Sequence, residues 1–220
     1  MFEKGTSQIH ILLFTVSSFP DLVSSVKTDN ICAYCSLFCI PQTTGPEIWQ
    51  QTKGKVDAVT FGTGTGGTLA GVGMYLKEKN PNIQVILADP QGSVLYNYIK
   101  TGKLERSEGS SITEGIGQGR VTKNLEGAPI DDALCIQDTD AVKMTFRLLH
   151  EEGFFVGAST GLNVAAAVQV AQMMGPGHTI VTCLCDTGHK YYARLFSREV
   201  LKERDLLNCI PEKYRVSLHD

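Results

Sequence analysis

The chain has no apolar run long enough to span a bilayer. Its longest, Ile9 to Val16, falls far short of the ~20 residues that a membrane helix needs. That run also matches the core of a signal peptide, but Glu3 precedes Lys4 and no clear small-x-small cleavage site follows. Basic charge is equally scarce. Twenty Lys and Arg against 23 Asp and Glu leave a formal charge of −3, without long like-charge runs. The electrostatic footprint of a nucleic-acid-binding domain is therefore missing, as is that of a protein drawn to an anionic membrane. Cysteine, at seven, is odd in number and not spaced like a secreted disulfide scaffold. A reducing compartment is expected, the cytoplasm first, with a mitochondrion or another organelle left open. No lysine follows the glycines of Gly62–Thr68, which excludes a nucleotide-triphosphate P-loop.

What is present is ordinary soluble-protein composition, 42% apolar and 20% charged over 220 residues. Residues 1–42 mix apolar clusters and serines without a sustained period. From Thr43 onward strand-like and helix-like segments alternate. Val56–Phe61 reads as a strand, Gly62–Thr68 as a loop, Leu69, Val72 and Leu76 as one face of a helix stopped at Asn80-Pro81, and Ile83–Ala88 as a second strand. This βαβ unit predicts a parallel pair. A helix capped from Asp138–Asp140 and ended by Gly153 follows, then a strand at Phe154–Val156 and an alanine-rich helix over Leu162–Met174. The most apolar strand is expected at His178–Cys185, buried on both faces, and a last helix at Tyr191–Leu207. Between Ser93 and Leu134 periodicity is weak, and a long functional loop is expected. The fold class predicted is doubly wound α/β with a mainly parallel sheet.

The loop Gly62-Thr-Gly-Thr-Gly-Gly-Thr68 carries the clearest chemistry. Glycine lets backbone N–H groups close on an anion, the following helix offers its free N–H groups, and threonine hydroxyls add donors. The pattern predicts a phosphate cradle. Gly62-x-Gly64-x-x-Gly67 with Asp89 at a strand end also fits a dinucleotide fingerprint, with Asp89 on a ribose. A purely structural glycine turn is the plainest alternative.

Five stretches in order bring in a family. Thr44-Gly-Pro-Glu-Ile-Trp49, Gly64-Thr-Gly-Gly-Thr68, Glu114-Gly-Ile-Gly-Gln-Gly119, Gly157-Ala-Ser-Thr-Gly161 and Asp186-Thr-Gly188 resemble the cysteine synthase (O-acetylserine sulfhydrylase) and cystathionine β-synthase-like branch of the fold type II pyridoxal-phosphate enzymes. The resemblance implies the larger, C-terminal-type domain of that fold over residues 43–207, an irregular or gene-model-derived segment over 1–42, and a C-terminal tail over 208–220. It implies pyridoxal 5′-phosphate as cofactor, with Gly64, Thr65, Gly66, Gly67 and Thr68 on its phosphate. Ser159 would meet the pyridine nitrogen, and Gly115 and Gly117 would lie beside the cofactor. The reaction implied is β-replacement of O-acetylserine by sulfide, on a small amino-acid substrate, with no metal.

Read without the resemblance, Ser159 is a candidate cap for the helix that follows it and Asp186 a cap for the last helix. Thr44-Gly45-Pro46 and Trp49 look like the start of a helix. The family's Schiff-base lysine and its asparagine-containing substrate loop have no counterpart. Ser25-Val26-Lys27 sits too near Thr65, so no catalytic residue is assigned. Cys32-x-x-Cys35-x-x-x-Cys39 is read as unpaired thiols rather than a metal site. The chain is accordingly expected to be truncated and inactive alone, as a homodimer or in association with an intact homologue. A noncatalytic partner and a dinucleotide-binding Rossmann module stand as alternatives.

Overall fold

A computed structural model describes residues 43–220 and the backbone of His10–Thr15. The expectations for the rest of residues 1–42, the Cys32–Cys39 cluster included, lie outside the described residues. The elements in chain order are β1 (His10–Thr15), α1 (Thr44–Gln51), β2 (Ala58–Gly62), α2 (Gly67–Lys79), β3 (Gln84–Pro90), α3 (Leu95–Thr101), β4 (Asp132–Ile136), α4 (Asp138–Glu152), α5 (Ala158–Met174), β5 (Thr179–Leu184), α6 (Tyr192–Leu195) and α7 (Arg198–Glu203). The five strands form one parallel sheet in the order β1-β5-β2-β3-β4. Each connection is a crossover, as parallel pairing requires.

Strand side chains alternate between two helical layers. Val59, Phe61, Val85, Leu87, Ala133 and Val181 pack with Ile48 of α1, Leu69, Val72 and Leu76 of α2 and Leu95 of α3. Their neighbours Ala58, Ile86, Ala88, Ile136 and Ile180 turn to the opposite face, against α4 and α5. Helix α5 is nearly all buried, and its alanines keep it close to the sheet. At Gly161 a Cβ would run into Thr145 Oγ1 and the Ala141 carbonyl, so glycine sets the α4–α5 distance.

Several expected elements differ. Phe154–Val156 is not a strand; only Val156 makes a bridge, antiparallel to Thr187. Phe155 instead joins Phe196 and His189 in a second core built on α4 and the C-terminal segment. The expected helix over Tyr191–Leu207 is broken into short pieces, α7 being started by Ser197, whose Oγ accepts from Val200 N–H. The weakly periodic region after Ser93 contains α3, and β4 begins within it at Asp132. Helix α5 starts four residues before the expected Leu162. Cys185 lies past the end of β5 and is exposed, whereas Cys183 is buried. Residues 208–220 fold back, with Ile210 and Tyr214 buried against the α4 layer.

Candidate functional site

The loop after β2 reaches the start of α2 through Gly66, whose φ of +81° caps the helix. None of the backbone N–H groups of Gly64, Thr65, Gly66, Gly67 or Thr68 donates to an acceptor among the described residues. Helix starts always leave N–H groups without an intrahelical partner; here the preceding loop adds more of them at the same place. Gly64 is forced by a close approach, because a Cβ there would stand 2.5 Å from the carbonyl oxygen of Gly115. Thr63, almost fully buried, has a hydroxyl without a partner in the described structure.

The loop is held from two sides. Gly62 N–H donates to Asn163 Oδ1 of α5 at 2.6 Å. Asn163 is fully buried, and its Nδ2 donates to the Cys183 carbonyl at 3.0 Å. On the other side the Thr65 carbonyl accepts from Thr122 Oγ1 (2.7 Å) and Asn124 Nδ2 (3.1 Å). Asn163 went unassigned from sequence, although a signal existed: one amide inside an alanine-rich buried helix must find partners.

The segment Glu114–Gly115 joins the other predicted residues to this loop. Gly115 touches Gly64 through its carbonyl, and a Cβ on Gly115 itself (φ +76°) would meet only open space. Ser159 lies in the first turn of α5, behind the cap residue Gly157, and is 4% exposed. It does not cap its own helix. Its Oγ donates to the Glu114 carbonyl at 3.4 Å and lies 3.4 Å from the Tyr191 hydroxyl, which accepts from Glu114 N–H at 3.3 Å. Burial pushes the Tyr191 phenol up to about 12, so it stays neutral. Glu114 ion-pairs with Arg194 and, at 3.5 Å, with Lys190; the Arg194 hydrogen bond holds its carboxyl below the ordinary range. At Gly117 (φ +83°) a Cβ would meet Pro90 at 2.9 Å.

Two acidic residues have other roles than expected. Asp89 is fully buried, and its Oδ2 accepts from Tyr96 N–H at 2.7 Å in α3. A carboxylate withdrawn in this way presents nothing to a ribose, which removes the support for the dinucleotide alternative. Burial raises its pKa to about 6. Asp186 caps α5, not the last helix: its Oδ1 accepts from Thr160 N–H (3.1 Å) and Thr160 Oγ1 (2.8 Å).

Outside the glycine loop, an open cleft of about 400 Å³ is lined by Thr65, Arg120, Thr122, Lys123 and Glu126 among others. No helix among the described residues is long and apolar enough to cross a membrane.

Comparison with known proteins shows the family of the chain. The chain is 53% identical over 175 residues to cysteine synthase 1 of Neurospora crassa, covering 78% of this chain and 46% of that protein. It is 42% identical over 181 residues to cysteine synthase 2 of Schizosaccharomyces pombe, covering 77% and 46%. The crystal structure of O-acetylserine dependent cystathionine beta-synthase from Helicobacter pylori superposes with a TM-score of 0.65 at 31% identity, over 72% of this chain and 49% of that one. The chain thus spans about half the length of the curated relatives it matches. The family described as pyridoxal-phosphate dependent enzyme matches residues 36–186. With its parallel sheet, its glycine loop and that match over most of its length, the chain belongs to the pyridoxal-phosphate dependent enzymes.

Proposed function

We propose that this chain carries the phosphate-holding side of an enzyme that forms cysteine from O-acetylserine and sulfide, and that it binds the cofactor without turning substrate over by itself. The observation that carries the reading is the set of unpartnered amides at Gly64–Thr68, placed at the N-terminus of α2 and touching Gly115. The names of the similar cysteine synthases supply the product, and the resemblance read in the sequence supplies O-acetylserine and sulfide as the reactants. The absence of a lysine motif in the sequence motivates the second clause.

The residues present fit the cofactor's phosphate. A cradle of N–H groups at a helix start favours a dianion, and at Gly64 the closeness of the Gly115 carbonyl leaves no room for a Cβ. Pyridoxal phosphate, when bound, supplies an electron sink for bond breaking beside the amino group of an amino acid. Ser159 offers a neutral hydroxyl for the ring nitrogen, and a hydroxyl does not keep that nitrogen protonated as a carboxylate would. Its one proton goes to the Glu114 carbonyl over a long 3.4 Å, with the Tyr191 hydroxyl also 3.4 Å away, so turning it to a ring nitrogen gives up only a weak bond. Gly115 keeps the adjoining space open. Self-association, or pairing with an intact homologue, belongs to the same reading. Sedimentation of the full chain, alone and mixed, as a lone monomer would remove it.

Titration of the full chain with pyridoxal phosphate tests the main reading. Saturable binding stronger than that of unphosphorylated pyridoxal is expected. Gly64→Ala should weaken it by roughly 1–3 kcal/mol, about five- to 150-fold, as overpacking against backbone does. Equal binding of the two vitamers sinks the phosphate assignment. Borohydride reduction and mass mapping test the second clause: a stoichiometric adduct on a single lysine, or cysteine formation by the chain alone, overturns it.

A further inference from the structure

The geometry points to Thr122 and Asn124 as positioning residues for the Gly64–Thr68 loop, an inference that rests on the phosphate-binding reading above. Both side chains donate to one atom, the Thr65 carbonyl oxygen, from a short 3₁₀ turn far along the chain. The C=O of one residue and the N–H of the next point in opposite directions across a trans peptide. Fixing the Thr65 oxygen on the side of Thr122 and Asn124 therefore aims the Gly66 N–H to the other side. Neither side chain is a phosphate ligand itself, because each holds the peptide by its carbonyl edge.

The hold matters because of the residue it acts on. Gly66 has φ +81°, and glycine's broad conformational freedom lets the Thr65–Gly66 peptide rotate at little cost. The same turn supplies a third contact: a Cβ on Gly66 would stand 2.5 Å from Leu125 Cγ, so Leu125 fills the space behind the loop. Asn124 is 3% exposed, and its Oδ1 has no hydrogen-bond partner in the described structure. That arrangement costs free energy, as expected of an amide placed for its Nδ2 alone. Two hydrogen bonds and one apolar contact thus keep a peptide plane in place.

The test compares two ligands that differ only in the phosphate and cannot condense with lysines, pyridoxamine 5′-phosphate and pyridoxamine. Affinities are measured on the full chain, with thermal unfolding as a control, for wild type, Thr122→Val, Asn124→Ala and the rescue variant Thr122→Ser. Each of the first two should weaken the phosphate-bearing ligand about five- to tenfold, the scale of one lost hydrogen bond. Pyridoxamine should be unaffected, and Thr122→Ser should restore wild-type behaviour. Equal losses for both ligands would mean general loosening and would overturn the inference, as would folded variants with undiminished preference for the phosphate. A wild type without that preference sinks the phosphate reading and this inference together, which separates the two failures. Should Asn124→Ala fail to fold, half-buried Thr122 carries the test with its serine rescue.

Discussion

The loop Gly62–Thr68 and the connection 91–131 both carry several glycines, yet they keep their shapes by different means. The first runs from a strand end through a left-handed Gly66 to a helix start, and uncharged side chains hold it: Asn163 at Gly62, Thr122 and Asn124 at Thr65. The second holds α3 and a short 3₁₀ turn and is otherwise irregular. Carboxylates anchor it along its length. Asp89 receives Tyr96 N–H at its root. Asp138 receives Ser111 Oγ–H (2.6 Å) and Ile112 N–H (2.5 Å), and Glu114 pairs with Arg194 and Lys190. At its end Asp131 accepts from Val85 N–H (2.7 Å) and Lys77. The difference predicts that the first region answers to loss of neutral hydrogen bonds at any pH and the second to pH and charge.

The largest effect should come from Asp89. Its folded pKa, about 6, lies above the model-compound 3.8 because burial disfavours the charge. A raised carboxyl contributes stability that is complete below the unfolded pKa and lost as pH rises through the folded one. The wild type should therefore lose about 3 kcal/mol between pH 4 and pH 7 through this group alone, an upper-range figure from two pKa units. Asp138, also raised by burial, acts in the same direction. Urea unfolding across that range should show the slope, and Asp89→Asn should flatten it. An unchanged slope in the variant would separate Asp89 from the anchoring of this region.

Next in size is Asn163→Ala, which breaks a neutral hold on the glycine loop instead. It strands the Gly62 N–H and takes the amide donor from the Cys183 carbonyl, costing roughly 1–3 kcal/mol in urea unfolding at any pH. A pH-dependent loss would blur the contrast between the regions. Glu114→Gln should have the smallest effect. The pair with Arg194 is partly exposed and screened by salt. Glu114 stabilises above its unfolded pKa and loses this as pH falls through its lowered folded value. Faster hydrogen exchange at Gly115 and Ile116 with little change in unfolding midpoint is expected. A midpoint change as large as that of Asn163→Ala would contradict this ranking.

The same contrast explains what could be read from the amino acids. The βαβ unit, the glycine loop and the α5 helix are local patterns: the short apolar run Val56–Phe61, spacing of Leu69, Val72 and Leu76, alanines at 165–167. Contacts between distant residues left no such trace. Thr122 and Asn124 look like loop residues until their shared acceptor, Thr65, is seen. Phe154-Phe155-Val156 has strand composition, but Phe155 is claimed by Phe196 and His189. Asp186 stands before one helical stretch and caps another, because β5 brings it to the start of α5. Ser159 has the composition of a cap, yet Gly157 takes that place and the hydroxyl turns to Glu114.

The central claim is tested most directly by the amide resonances of an isotopically labelled full chain as pyridoxamine 5′-phosphate is added. Hydrogen bonding to the ester phosphate should move the Gly64, Gly66 and Gly67 N–H signals strongly downfield, more than that of Gly175 at the far end of α5. Saturable binding with those three signals unmoved would contradict the account.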